Sequence, residues 1–236
     1  MNLIQKGHRH THRGIIGVES AIVLIAFVIV AAALAFVVLN MGFTTTQKAK
    51  TTIVSTLAEA GSSLEIEGKV IGSSYQPGAG VPSSLNATSI PIKIAGSGES
   101  VNLDPNLTAI KYLSNTITYD DIYAGTLNGA APFISTSLEN AVGRAAGGPF
   151  NYINVDPYSD LGWPLETTAF IYWTVQSNTN DILEGGEHAN VAVVFAAGDR
   201  PQELDTIRLE IIPPAGASLT ISRQVPNITT EVVDLG

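Results

Sequence analysis

The side chains that could do chemistry in this 236-residue chain are few. There is no cysteine, which excludes thiol catalysis, disulfides and Cys-ligated metals. Three of the four histidines, His8, His10 and His12, fall within the first fourteen residues, and His188 is the only one beyond them. A Ser or Thr nucleophile would therefore depend on His188 and an acid, and no Gly-x-Ser-x-Gly turn presents a serine to it. Gly143 and Gly148 have the spacing of a phosphate-binding loop, but Pro149 and Phe150 stand where Lys and Ser or Thr must follow. Alternation of His8, His10 and His12 has the look of a metal clip, yet beside Lys6, Arg9 and Arg13 these residues add positive character to a basic segment. Acids gather at Asp120 with Asp121, at Asp156 with Asp160, and at Asp181 with Glu184 and Glu187. Carboxylates of this kind ligate Ca²⁺ through oxygen, but none has the EF-hand spacing and turns favour Asp for their own reasons. The expectation is no enzyme and no cofactor, with structural Ca²⁺ as the alternative the acids leave open. Asn86, Asn106 and Asn227 each begin an Asn-x-Thr glycosylation sequon. Trp163, between Gly162 and Pro164, is expected in a loop and Trp173 in a strand core; neither makes a carbohydrate platform, which needs several aromatics together.

Residues with so little chemistry must be positioned for something else, and the distribution of apolarity says what. Hydrophobic residues make up 45% of the chain and charged ones 14%, against a globular average of about 25% charged. The excess is local: residues 15–43 hold it, with Glu19 as their only charge. Before them, residues 1–14 carry Lys6, Arg9 and Arg13 and no acid; after them the chain is acidic, and the total is −9. Such a balance argues against nucleic acid, whose phosphates need a basic surface. A basic head, an apolar run and an acidic body predict export with the head retained in the cytoplasm.

An ordinary secretory signal has an apolar stretch of about 7 to 15 residues. Residues 21–39 are instead 19 consecutive residues without a polar side chain, close to the roughly 20 that span a bilayer. The helical pattern then continues past any membrane edge, with Ile53, Leu57, Ala60 and Leu64 spaced 4, 3 and 4 apart on one face. A helix from residue 15 to about 62 would be roughly 70 Å long at about 1.5 Å per residue, more than a bilayer holds. A helix apolar all round belongs in lipid or inside a bundle, and this one is expected to serve in both, first as an anchor and then in a bundle of copies of itself.

From about residue 64 the period becomes alternating. Ile90, Ile92 and Ile94, then Ile207, Leu209 and Ile211, then Leu219 and Ile221 predict strands with one buried face. Further strands are expected at 107–113, 116–119, 150–155, 168–176 and 189–197, separated by breakers such as Gln76-Pro77-Gly78, Gly147-Gly148-Pro149, Asp156-Pro157, Gly185-Gly186 and Pro213-Pro214. Many short strands without long helices between them predict an immunoglobulin-like β-sandwich. The class is α+β: a long N-terminal hydrophobic helix followed by that sandwich.

Two resemblances add to this reading. Arg13-Gly14 followed by Ile15-Ile16-Gly17-Val18-Glu19 resembles a class III signal peptide, in which a membrane peptidase cuts after the Gly and leaves the apolar segment on the mature protein. In the type IV pilin family, which this stretch resembles, the fifth mature residue is an acid that meets the new α-amine of a neighbour; here these would be Glu19 and the amine of Ile15. The run Ser20-Ala21-Ile22-Val23-Leu24-Ile25-Ala26-Phe27, with Asn40-Met41-Gly42-Phe43 and Thr46-Gln47-Lys48-Ala49-Lys50, resembles the N-terminal helix of archaellins, the subunits of the archaeal swimming filament. Asn180-Asp181-Ile182-Leu183-Glu184-Gly185-Gly186-Glu187 resembles their body motif. Pro214-Ala215-Gly216-Ala217-Ser218-Leu219-Thr220-Ile221-Ser222-Arg223 and Val233-Asp234-Leu235 resemble their C-terminal hairpin and tail. Residues 70–160 resemble only generic β-structure.

The resemblance implies a precursor with a leader at 1–14, a filament-core helix at 15–62 and an outer β-domain at 63–236. It implies an extracellular homopolymer on the archaeal cell surface, held in the membrane before assembly. Its partners would be its own copies, a prepilin-like signal peptidase, and the archaellum motor and platform. Gly14 and Ile15 would be the processing site. Ile15, Glu19, Phe27 and Phe36 would be assembly contacts, and Asn86, Asn106 and Asn227 glycan carriers. Glu19 departs from the pattern, an acid there being regular in pilins and variable in archaellins, which keeps an adhesive archaeal pilin as an alternative. A singly anchored surface binding protein is the alternative of a different class.

Overall fold

The computed structural model describes residues 13–61, 64–74, 83–96, 100–129, 133–147, 149–159 and 162–236. Most of the leader, with His8, His10 and His12, lies outside the described residues, as do the turn at Gln76-Pro77-Gly78, Gly148 and Asp160. The chain divides into two units, 1–55 and 56–236.

The first unit is built on helix α1, Arg13–Gly61, which runs unbroken for 49 residues, about 74 Å at about 1.5 Å per residue. No proline interrupts it, and Ala and Leu supply propensity among the β-branched Val and Ile. Beyond the apolar run the sequence turns to Thr and Ser, residues that compete with a helix by bonding to backbone. Here they bond within it: Thr44 donates to the Asn40 carbonyl at 3.0 Å, Thr45 to Met41 at 2.7 Å, Thr46 to Gly42 at 2.8 Å, Thr51 to Gln47 at 2.9 Å and Thr52 to Lys48 at 2.9 Å. The helix ends at Gly61, a residue suited to a helix terminus.

The second unit comprises strands β1 (Leu64–Ile66), β2 (Ile71–Ser73), β3 (Ala87–Ile94), β4 (Val101–Asn102), β5 (Ala109–Leu113), β6 (Thr118–Tyr119) and β7 (Tyr123–Thr126), helix α2 (Leu138–Ala145), and strands β8 (Thr168–Val175), β9 (Ile182–Leu183), β10 (His188–Val194), β11 (Thr206–Ile212), β12 (Leu219–Gln224) and β13 (Val232–Asp234). A seven-stranded sheet has the order β13-β2-β3-β10-β8-β7, with β1 also paired to β3. A four-stranded sheet runs β12-β11-β5-β6, and β4 pairs β9. The two larger sheets share one core in which Ile90, Ile92, Ile171, Trp173, Val191 and Val193 meet Ile110, Tyr112, Leu209, Ile211 and Ile221. The Tyr112 and Phe195 rings lie 5.5 Å apart there.

Two findings depart from an all-antiparallel sandwich. One is that β7 pairs β8 in parallel. Between Tyr123 and Gly125 its register shifts, and Gly125 sits at φ +139°, where a Cβ would come within 2.8 Å of the Tyr152 hydroxyl. The other is α2, which the sequence reading did not anticipate. Ser137 caps it by accepting from the Asn140 amide at 3.2 Å, Glu139 and Arg144 complement its dipole, and Leu138, Ala141, Val142 and Ala145 are buried at helical spacing. They form a second core with Phe170, Tyr172, Ala192 and Val194, on the opposite face of the large sheet from Trp173, Ile171 and Val191 by the alternation of strand side chains. Strands β8 and β10 are thus covered on both faces, which is why they read as apolar runs rather than as alternations.

The strand expected at 150–155 is not formed. The amides of Tyr152 and Ile153 instead donate to the Ala145 carbonyl at 2.8 and 3.3 Å, Asn151 takes φ 45°, and Ile153 joins the second core. The segment folds back under the end of α2, so its apolar side chains serve that helix and not a ladder.

Candidate self-assembly surface

Within the helical unit every described side chain from Gly17 to Leu57 is exposed in the single chain. Phe27 is 73% exposed, Phe36 70% and Leu39 73%. Val23, Leu24, Ile25, Ile29, Val30, Leu34 and Val38 join them around the full circumference. A soluble monomer rarely exposes an apolar patch of more than a few hundred Å². Roughly 20 apolar side chains at about 1.5 to 3 kcal/mol each give an upper bound on the order of 30 to 60 kcal/mol against water. Against lipid the gain is far smaller, because hydrocarbon is already apolar and association there rests on packing. This surface therefore has two stable settings, a bilayer or other copies of the helix.

The Thr-rich stretch extends the surface. Its hydroxyls are already satisfied by their own helix, so they bring little desolvation cost to a packed bundle. Between Gly17 and Leu57 the only charged side chains are Glu19, Lys48 and Lys50. Of the expected site residues, Glu19, Phe27 and Phe36 lie on this exposed surface. Gly14 and Ile15 fall in the first turn of α1.

Among the described residues of the body no comparable constellation stands. His188 pairs through Nδ1 with Glu67, and Glu67 also lies 3.7 Å from Lys93, itself 3.3 Å from Glu65; these contacts of partly exposed side chains bridge the end of β1 with β3 and β10. Of the acids suggested as Ca²⁺ ligands, Asp121, Asp156, Asp181 and Glu187 accept hydrogen bonds that hold loops. Asp121 accepts from the amides of Ile110 and Tyr123 at 3.2 and 3.0 Å, and Asp156 from that of Tyr158 at 2.9 Å. Asp181 takes the Thr126 hydroxyl and the Asn128 amide. Glu187, 1% exposed, accepts from the amides of Ser177 and Glu184 at 2.7 and 3.0 Å, which fixes the loop resembling the archaellin body motif. Sequence reasoning treated Glu187 as one acid of a cluster, and only its burial distinguishes it. Burial pushes the hydroxyls of Tyr112, Tyr123 and Tyr158 well up from their ordinary range and that of Tyr172 up, as desolvation of the charged form requires. Trp163 lies in a loop under the Arg200 guanidinium, 4.0 Å from its ring centre, and Trp173 is fully buried in β8.

The sequons separate by burial. Asn106 and Asn227 are exposed. Asn86 is wholly buried, its amide donating to the Ser73 carbonyl at 2.7 Å and its carbonyl accepting from Phe195 at 2.9 Å; a sugar on Asn86 would have to displace core contacts.

With that geometry in place, comparison with known proteins gives the family. The archaeal-type flagellin family matches residues 14–223, beginning one residue before the apolar run. A probable flagellin 1 of Aeropyrum pernix is 35% identical over 216 residues, covering 91% of this chain and 92% of its own length. A probable flagellin 1 of Archaeoglobus fulgidus is 28% identical, covering 91% and 90%. Among solved structures, the archaeal flagellum of Methanospirillum hungatei aligns with a TM-score of 0.57 at 24% identity over 93% of this chain and 99% of that one. The crystal structure of the archaeal flagellin FlaB1 from Methanocaldococcus jannaschii aligns with a TM-score of 0.52 at 12% identity over 74% and 96%; these two likenesses speak to the fold, a long apolar helix followed by a β-sheet domain. Matched over most of its length by the family and by a relative above 30% identity, this chain belongs to the archaeal-type flagellins, structural proteins of the archaeal filament.

Proposed function

We propose that the protein is the repeating subunit of an archaellum filament, polymerising through α1 to form a rotated, extracellular surface filament. The observation that supports this best is the helix itself: 49 residues long, apolar all round over 21–39, exposed over Gly17–Leu57 and too long to be consumed by a bilayer of about 30 Å hydrocarbon thickness. In this reading the precursor waits in the cytoplasmic membrane with its basic head inside. A prepilin-like peptidase cuts after Gly14, and the motor and platform move the mature subunit into a bundle in which Phe27 and Phe36 pack against other copies. Glu19, a lone acid at the edge of an apolar run, needs a cation from a neighbour, and the amine freed on Ile15 supplies one.

Asn106 and Asn227, exposed on the body, are the glycan acceptors in this reading, and Asn86 is not. The processing step is tested by sequencing the mature N-terminus on sheared filaments. Ile15 as first residue is expected, whereas an intact Met1 or a start within the apolar run contradicts it. Intact mass of the same subunits tests the glycans, a bare peptide mass counting against them.

A further inference from the structure

This inference rests on the filament reading and concerns how copies are set in register along the bundle. Glu19, Lys48 and Lys50 are the only charged side chains on α1 between Gly17 and Leu57, and among the described residues none forms an ion pair within its own subunit. Lys48 follows Glu19 by 29 residues, just over eight turns at about 3.6 residues per turn, so the two share one stripe of the helix about 44 Å apart. Lys50, two residues on, points about 160° away from Lys48 around the axis. Acid and cation thus stand at the two ends of the same apolar stripe, with no charge between them.

We propose that Glu19 of one copy pairs with Lys48 of a second, parallel copy displaced by about 44 Å along the filament axis. Parallel packing follows from a common membrane orientation, every copy having its basic head on one side. An ammonium left unpaired in a packed bundle is costly, and an offset that brings it to the Glu19 carboxylate removes that cost. The carboxylate has about four lone-pair sites, so it accepts the Lys48 ammonium beside the α-amine of another neighbour. Pairing of this kind selects one axial stagger among the many that an all-apolar helix surface would tolerate equally, in the way a lone polar position fixes register in coiled coils.

Helical reconstruction of wild-type filaments tests the pairing directly. The expected result places each Glu19 carboxylate within about 4 Å of a Lys48 Nζ from another copy, the ordinary ion-pair distance. A core of α1 helices in which every Lys48 is remote from every Glu19 overturns the inference and leaves the filament reading standing; a core not built from α1 overturns the reading itself. The two lysines supply an independent arm. Lys48→Glu is expected to lower filament yield by about tenfold or more, because two carboxylates then face each other, while Lys50→Glu is expected to leave the yield within about twofold. Equal behaviour of the two lysines in subunits whose mature N-terminus is correct overturns the pairing.

Discussion

Phe170 and Phe195 in the body are wholly buried, while Phe27 and Phe36 in α1 are 73% and 70% exposed. The same side chain completes a core within one chain in the first case and awaits other chains in the second. The body buries its own apolar surface: two sheets close over Trp173 and Tyr112, α2 covers the outer face of β8 and β10, and Glu187 ties a loop. The helix satisfies its backbone and its hydroxyls but not its apolar surface. Substitutions in the two units should therefore register in different experiments, body changes in folding stability and helix changes in polymer formation.

The sharpest way to break this division is a charge in the middle of the run. Val30→Asp is expected to abolish filaments, since a carboxylate at the centre of an apolar helix costs about 2.5 to 3.5 kcal/mol on insertion alone and finds no partner in the bundle. The melting temperature of the body should stay unchanged, and a parallel loss of body stability would refute the separation. The converse change is Trp173→Ala, which removes the largest wholly buried side chain. It should cost about 3 to 5 kcal/mol of body stability, read by denaturant melts, while α1 keeps its helicity.

Alkaline pH sharpens the comparison without mutation. The raised hydroxyls of Tyr112, Tyr123, Tyr158 and Tyr172 owe their shift first to burial. A folded-state pKa above the unfolded value means stability that is complete below about pH 10 and lost as pH rises above it. The body should unfold in that window together with the appearance of phenolate absorbance, whereas α1, which contains no tyrosine, should retain its helical circular dichroism. Ionisation of these four hydroxyls well before unfolding would contradict the burial. The smallest expected effect is at Ser137, whose replacement by Ala removes the α2 cap and should cost about 1 kcal/mol, visible as faster amide exchange in α2 alone.

Much of this difference was legible in the sequence because long patterns average over local accidents. Nineteen apolar residues admit one reading, and α1 starts and ends within two residues of expectation. The alternation in Ile207, Leu209 and Ile211 identified β11, and the unbroken apolarity of Ala169 to Trp173 marked a strand even though covering on both faces erased its alternation. Short elements carry no period, so β1, β2, β4, β9 and β13, of two or three residues each, went unread. Helix α2 was hidden because Gly143 and the Gly147-Gly148-Pro149 breaker invited a loop reading, although Ser137 followed by Leu138, Ala141, Val142 and Ala145 carried both a cap and a buried face. Phe150, Tyr152 and Ile153 have strand propensity, but contact with α2 decided their conformation. At the site, the exposure of Phe27 and Phe36 follows from their place in the apolar run; the burial of Asn86 was not legible, because a sequon specifies chemistry and carries no information about exposure.

The absence of cysteine permits one clean measurement of the central claim, that the exposed surface of α1 becomes buried among copies in the filament while exposed sites on the body do not. Single variants Val30→Cys in the helix and Leu204→Cys in the body replace side chains that are 57% and 72% exposed in the single chain. In assembled filaments the account predicts that a water-soluble maleimide modifies the body position fully and leaves the helix position unmodified until the filament is dissociated. Equal labelling of both positions in intact filaments would contradict it.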